Sequence, residues 1–196
     1  MKKKVNLNLS FVIVIVFIGL VIFLSNLSPK DNKQVETKQE NNNSSLGDFK
    51  NAAYVIEGQE IKLKDGISVV PIVPNSASMI TTKYFGNDVK YDWNNDGYED
   101  IAFLLTQNDG GSGTFYYVAV ALYSPFGYYT GSKAFFLGDR ITPQTLEVQD
   151  SGMIVFNYLD RNEGESFATV PTFAKSTWLV FDPEVMDFNE YSPDFY

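Results

Sequence analysis

The sequence predicts a mainly β domain, a single antiparallel β-sandwich or small barrel, behind an N-terminal transmembrane helix and a flexible linker. Between residues 49 and 196, short runs rich in β-branched and aromatic residues alternate with turn residues, a pattern typical of β-strands. That region contains no apolar stripe at helical spacing over twelve residues. The chain begins, in contrast, with lysines and a long uncharged apolar run, which indicates a membrane span.

Residues 1–27 are predicted to form the cytoplasmic lysines and a signal-anchor helix. Lys2, Lys3 and Lys4 precede a run without charge, and a helix over residues 7–27 would be about 31 Å long, the thickness of a bilayer core. The membrane is therefore the expected partner of residues 7–27. Lysines on the N-terminal side favour a cytoplasmic N-terminus, which places the residues after 27 outside the cytoplasm. The alternative is a cleaved signal peptide, for which Ser25 and Leu27 form a poor cleavage pair.

Residues 28–48 are predicted to be a disordered polar linker. The segment has no aromatic residue, and Val35 and Leu46 are its only sizeable aliphatic residues. It therefore cannot bury enough apolar surface to offset the entropy of ordering, and we expect a flexible tether.

Residues 49–196 are predicted to form the extracytoplasmic β-domain. We expect about eight strands, because each run is short, is bounded by turn residues and in places alternates with period two. The candidate strands are 53–56, 60–63, 67–73, 101–106, 114–123, 133–137, 153–158 and 177–181, and residues 145–148 show the alternation.

The composition excludes several kinds of chemistry. The 196 residues include no cysteine and no histidine, so a thiol nucleophile, an imidazole base and the usual zinc sites are impossible. The net charge of −9 also disfavours nucleic acid as a partner, because neutralising phosphates needs clustered lysine and arginine.

The most specific motif is an acidic loop over residues 92–100, which we interpret as a site for one Ca²⁺. Its spacing brings side-chain and carbonyl oxygens around a hard cation, while Gly97 permits the sharp turn. Position twelve is Phe103 instead of the glutamate of an EF-hand, and a strand follows. The alternative is a solvated, metal-free turn. The predicted ligands are Asp92, Asn94, Asp96, the carbonyl of Tyr98, and Asp100.

Two resemblances follow from these motifs. The loop leading into a strand is similar to the calcium loops of FG-GAP and integrin-type propeller blades, but its single copy excludes a propeller. The chain from about residue 54 to 180 also resembles an uncharacterised family of small extracytoplasmic bacterial proteins, which implies the location and one folded domain but no reaction. The motifs that carry this resemblance are Ile56–Gln59, Tyr84–Asn87, Asp96-Gly97 with Asp100, Gly110–Tyr117, Leu137–Ile141 and Asn157–Arg161.

Three further features are candidates for a site. Asp139-Arg140 and Asp160-Arg161 are predicted to be turn-stabilising ion pairs, worth under ~1 kcal/mol each if exposed. The alternatives are an anion clamp, or acid/base chemistry on sugars by Asp139, Asp160 and Glu165. The glycine-rich segment 108–114 lacks the lysine of a phosphate-binding loop, so we expect a tight β-connection close to the acidic loop.

The function expected from these observations is a membrane-anchored, calcium-binding β-domain that acts as a non-enzymatic binding or structural module of the cell envelope. Its partner would be an envelope glycan or protein. The alternative is a carboxylate-dependent hydrolase of envelope glycans or peptides, which needs two carboxyl groups about 5–10 Å apart in a cleft.

Overall fold

The computed structural model describes residues 47–192, and within them the prediction of a mainly antiparallel β fold is confirmed. The predicted transmembrane segment, residues 7–27, lies outside this range, as does nearly all of the linker. In residues 47–192 the helical structure is a single 3₁₀ turn, Phe49–Asn51, and no helix there is long and apolar enough to cross a membrane.

Twelve strands form within the described residues, four more than the sequence suggested. They are β1 (Ala53–Ile56), β2 (Gln59–Lys62), β3 (Ile67–Pro71), β4 (Met79–Tyr91), β5 (Asp100–Asn108), β6 (Phe115–Ser124), β7 (Tyr128–Gly131), β8 (Phe135–Asp139), β9 (Thr142–Val148), β10 (Ile154–Asp160), β11 (Phe173–Asp182) and β12 (Asp187–Tyr191).

The largest sheet has six strands in the order β3-β4-β5-β6-β7, with β8 also paired to β6. Its central strands β5 and β6 are buried over most of their length, which explains their nearly continuous apolar sequences. Strand β4 was missed in the sequence because its residues are mostly polar and two register shifts interrupt it. Gly86 and Asn87 have positive φ angles of 126° and 59° at this interruption, as expected of a β-bulge.

A four-stranded sheet, in the order β12-β11-β10-β9, packs on one face of the six-stranded sheet. The two sheets share a core whose residues alternate along their strands, as the two-residue period of a strand requires. The buried members from the larger sheet include Ala102, Leu104, Val118 and Val120, and those from the smaller sheet include Ile154, Phe156, Leu179 and Phe181.

The β1–β2 hairpin covers the opposite face of the six-stranded sheet. It turns at Glu57 and Gly58, whose φ angles of 50° and 80° suit a two-residue turn that matches the twist of its strands. Gly131 lets the hairpin approach, because a Cβ there would lie 2.2 Å from the carbonyl oxygen of Ala53. Both faces of β5 and β6 are thus covered over the buried part of these strands. The second core contains Tyr54, Ile56, Ile61, Leu63, Phe103, Leu105, Tyr117 and Ala119.

Candidate functional site

The acidic loop connects β4 to β5, and the pairing of Tyr91 with Asp100 closes it at its base. Aspartate and asparagine are suited to such a connection, because their short side chains accept hydrogen bonds from nearby backbone N–H groups. Asn95 and Gly97 have left-handed φ angles of 55° and 88°, which reverse the chain within the loop. Asparagine and glycine are the residues that adopt this conformation most readily.

The side chains of three predicted ligands organise the interior of the loop. Asp92 accepts hydrogen bonds from the N–H groups of Asp96 (3.1 Å) and Gly97 (2.9 Å). Asn94 also accepts from the N–H of Asp96, and its amide donates to a carboxylate oxygen of Asp96 at 3.0 Å. Asp96 in turn accepts from the N–H of Tyr98 at 2.9 Å. These contacts fold the loop so that Asp92, Asn94 and Asp96 lie next to one another.

The fourth predicted side-chain ligand, Asp100, lies buried at the start of β5. One of its carboxylate oxygens accepts from the N–H of Trp93 and the other from the N–H of Tyr123, both at 2.9 Å. The pKa of Asp100 is raised above its ordinary value, chiefly by desolvation. The two backbone hydrogen bonds act against this shift, and the charges of Asp96 and Asp92 add to it. Asp100 therefore joins the acidic loop to the end of β6 and is close enough to Asp92 and Asp96 to experience their charge.

Trp93 anchors the loop in the core, a role that the sequence analysis did not identify. Its side chain is buried, and its indole N–H donates to the carbonyl of Gly152 at 2.8 Å. The ring packs against Tyr91 and Phe181, with centroid separations of 5.4 and 6.2 Å. A tryptophan inside an otherwise polar loop was the available signal, because such a large apolar side chain is costly to leave in water.

Tyr98, predicted to offer its carbonyl, has a half-exposed ring at the rim of the loop. That ring lies 5.8 Å from the ring of Tyr123 on β6. The loop is thus held at three points, by Trp93, Asp100 and Tyr98, each contacting a different part of the domain.

The donor chemistry of the acidic loop suits Ca²⁺, which prefers carboxylate, amide and carbonyl oxygens. In residues 47–192, however, no three acidic side chains are gathered closely enough around one point to form a ready-made metal site. The loop oxygens accept hydrogen bonds from backbone N–H groups instead. Each carboxylate oxygen has a second lone pair, so these hydrogen bonds leave acceptor capacity for a cation.

The first Asp-Arg pair forms as predicted. The Arg140 guanidinium donates to both carboxylate oxygens of Asp139, at 3.1 and 2.7 Å, and Asp139 also accepts from the N–H of Thr114. Desolvation opposes ionisation of Asp139, but Arg140, the Thr114 N–H and the nearby Arg161 outweigh it and lower the pKa of this carboxyl.

The prediction of an ion pair between Asp160 and Arg161 is wrong. Arg161 is buried, and its guanidinium donates to the carbonyls of Thr169 (2.7 Å) and Arg140 (3.0 Å). Asp160 pairs instead with Lys175 of the neighbouring strand at 2.8 Å. Lys175 lies opposite Tyr158 in the β10–β11 register, and Asp160, two residues after Tyr158, is on the same face of the sheet. The pattern of adjacent charges did not contain this cross-strand partner.

The three carboxyl groups considered for acid/base chemistry each have a separate partner. Asp139 binds Arg140, Asp160 binds Lys175, and Glu165 accepts from the N–H of Asn162 at 2.8 Å within its own turn. Burial works against ionisation of Asp160, but Lys175 and its other partners hold its pKa below the ordinary value, as happens at Asp139. A general acid in glycoside hydrolysis needs the opposite, a raised pKa that keeps the proton on.

The glycine-rich segment is a tight β-connection, but it is not close to the acidic loop. The amide of Asn108 donates to the carbonyl of Gly113 at 2.5 Å and closes the segment between β5 and β6. The acidic loop precedes β5 and this segment follows it, so the two lie about 26 Å apart along the strand. The sequence analysis expected closeness from short sequence separation, which a fully extended strand does not give.

No protein-family model, curated protein or solved structure matches the chain.

Proposed function

We propose that the chain is a membrane-anchored extracytoplasmic protein whose β-domain binds one Ca²⁺ at the acidic loop and serves as a non-enzymatic binding or structural module of the cell envelope. In this proposal residues 7–27 span the membrane, residues 28–48 form the tether, and a sandwich built on the two larger sheets forms the outer domain. The apolar run after the N-terminal lysines and the resemblance to small extracytoplasmic proteins support the location.

The observation that carries the calcium proposal is the folding of the loop itself. Asp92, Asn94 and Asp96 are linked by hydrogen bonds within the loop, and buried Asp100 accepts from the N–H of Trp93 in the same loop. The charges of Asp92 and Asp96 repel that of Asp100, which is why both push the pKa of Asp100 upward. A bound divalent cation would remove the repulsion in the folded state.

The carboxylate-dependent hydrolase is the weaker alternative. Its candidate acid/base residues would need a protonated carboxyl group at working pH, yet the pKa values of Asp139 and Asp160 are lowered by their basic partners. Salt-bridged, ionised carboxylates favour a structural role at that end of the domain.

Two matched substitutions test the calcium proposal. In Asp96→Asn and Asp109→Asn, the side-chain oxygen can still accept from the N–H two residues later, at Tyr98 or Gly111. Each substitution removes one negative charge from a loop, but only Asp96 is a predicted ligand. Millimolar calcium should raise the melting temperature of the wild type and of Asp109→Asn, and leave that of Asp96→Asn unchanged. Equal responses of the two variants would refute the assignment of Asp96.

A further inference from the structure

The six-stranded sheet extends beyond the core that it shares with the four-stranded sheet. On the shared face of β5, buried Ala102 and Leu104 are followed by half-buried Thr106 and Asn108. Along β6 the same face changes from Val120 and Val118 to Tyr116, with Thr114 just before the strand begins. The neighbouring β4 places Lys83 and Thr81 there. The apolar face is therefore replaced by polar side chains.

Polar residues of this part of the sheet line an open cavity of about 320 Å³. Its lining residues are Thr81, Lys83, Thr106, Gln107, Asn108 and Thr114. Strand pairing places Lys83 beside Thr106, and Thr81 beside Asn108, so their side chains share one face of the sheet. The side chain of Gln107 is turned to the other face, where it donates to Thr82.

The wall of the cavity is fixed by the glycine-rich connection. Asn108 and Thr114 lie at its two ends, and Asn108 closes it through the carbonyl of Gly113. The N–H of Thr114 donates to Asp139 at 2.9 Å, while its carbonyl accepts from the N–H of Arg140 at 2.8 Å. Asp139 and Arg140 therefore hold the backbone of Thr114 in place at one side of the cavity.

Three observations define the chemistry that the cavity recognises. Thr81, Thr106 and Thr114 supply hydroxyl groups that both donate and accept hydrogen bonds. Lys83 supplies a positive charge, and within residues 47–192 no carboxylate lies within ion-pair distance of its ammonium group. Two residues beyond Lys83 on β4, outside the lining of the cavity, half-exposed Phe85 lies edge-on to the ring of Tyr116, at 5.4 Å between centroids, and offers an apolar surface.

We propose that this cavity, the β4–β5 pocket, binds an anionic sugar unit: a hydroxylated ring whose carboxylate or phosphate group contacts Lys83. The threonine hydroxyls bind the ring hydroxyls, and Phe85 contacts the apolar side of the ring. This inference rests on the binding role proposed above and gives it a class of ligand. The pocket lies at the opposite end of β5 from the acidic loop, so it does not depend on calcium.

The test uses the full chain in a polyoxyethylene detergent, which carries neither sugar nor charge. Glucuronic acid, glucose 6-phosphate and neutral glucose are titrated, and dissociation constants are measured by saturation-transfer NMR, first with chelator and then with calcium. Because the contact between Lys83 and the anionic group is charge-assisted, at least one of the two anionic sugars should bind about tenfold more tightly than glucose. The tighter of the two identifies the anionic group.

Matched variants locate the site. Lys83→Gln should remove the preference for the anionic sugar, whereas Lys62→Gln, an exposed strand lysine on the hairpin across the sheet, should keep it. Thr106→Val, which preserves strand propensity, should weaken all three sugars. The proposal is overturned if neither anionic sugar binds more tightly than glucose, or if both lysine variants behave alike. Sugar binding that persists in Asp96→Asn would separate this result from any failure of the calcium site.

Discussion

Replacing Arg161 by alanine should destabilise the β-domain more than replacing Arg140, although both arginines follow an aspartate at the end of a strand. Arg161 is 9% exposed, and its guanidinium donates two hydrogen bonds to the carbonyls of Thr169 and Arg140. It thereby ties the β10–β11 connection to the turn between β8 and β9. Arg140 lies nearer the surface, where its guanidinium binds Asp139 and stacks over the ring of Phe167 at 4.3 Å from the centroid.

The expected loss for Arg161→Ala is about 3–5 kcal/mol in the free energy of unfolding. A hydrogen bond from a charged donor contributes roughly 1.5–3 kcal/mol, and two such bonds to partly buried carbonyls are lost together. The attraction between Arg161 and the carboxylates of Asp139 and Asp160, which helps to lower both of their pKa values, is lost as well. The figure exceeds the ~1 kcal/mol expected of an exposed pair because the guanidinium is buried.

Urea unfolding followed by tryptophan fluorescence measures this loss in the full chain. Both tryptophans of the sequence, Trp93 and Trp178, lie within the β-domain, so the signal reports its unfolding alone. Arg161→Lys keeps the charge, but its ammonium group lacks the planar geometry with which the guanidinium donates to both carbonyls, so this variant should recover only part of the stability. A loss for Arg161→Ala no larger than that for Arg140→Ala would refute the reasoning.

Three further outcomes are expected. Mass spectrometry of the membrane fraction should find residues 7–27 retained; a mature chain beginning near Ser28 would contradict the anchor. Trp93→Phe should cost roughly 2 kcal/mol, measured by circular dichroism during urea unfolding, because the Gly152 carbonyl loses its donor; an unchanged midpoint would show that the indole N–H contributes little. Stability should fall as the pH drops below about 4, because the unfolded chain then binds protons that the lowered pKa of Asp160 excludes from the folded state. Asp160→Asn should flatten this part of the urea-midpoint profile, and an unaltered profile would exclude Asp160 as a source.

The sequence predicted the strands whose side chains face a core on both sides. Strands β5 and β6 are recognisable because each contains an unbroken run of apolar and aromatic residues, 101–105 in β5 and 115–123 in β6. Strand β4 was not recognisable, because its bulge at Gly86 breaks the alternation and its outer residues are polar. The existence of a third layer, the β1–β2 hairpin, depends on contacts between distant segments that no local pattern contains.

In the candidate sites, too, the sequence predicted contacts within a short segment but not contacts between distant segments. The spacing of Asp92, Asn94 and Asp96 indicated that they lie together, because a short loop leaves them little freedom. The anchoring of that loop by Trp93 through Gly152, and the pairing of Asp160 with Lys175, join residues far apart in the chain. The β4–β5 pocket likewise depends on strand pairing, which places Lys83 beside Thr106.

Calorimetric titration of the full chain with calcium tests the central claim most directly. The claim predicts one site per chain with a dissociation constant of about 0.1–1 mM, typical of extracellular calcium modules. At 1 mM calcium, such binding would stabilise the folded state by roughly 0.4–1.4 kcal/mol. Mg²⁺ should bind more weakly, since it gives up its water shell less readily. If millimolar calcium produces neither heat nor a shift in the melting temperature, the acidic loop is a metal-free turn and the claim is contradicted.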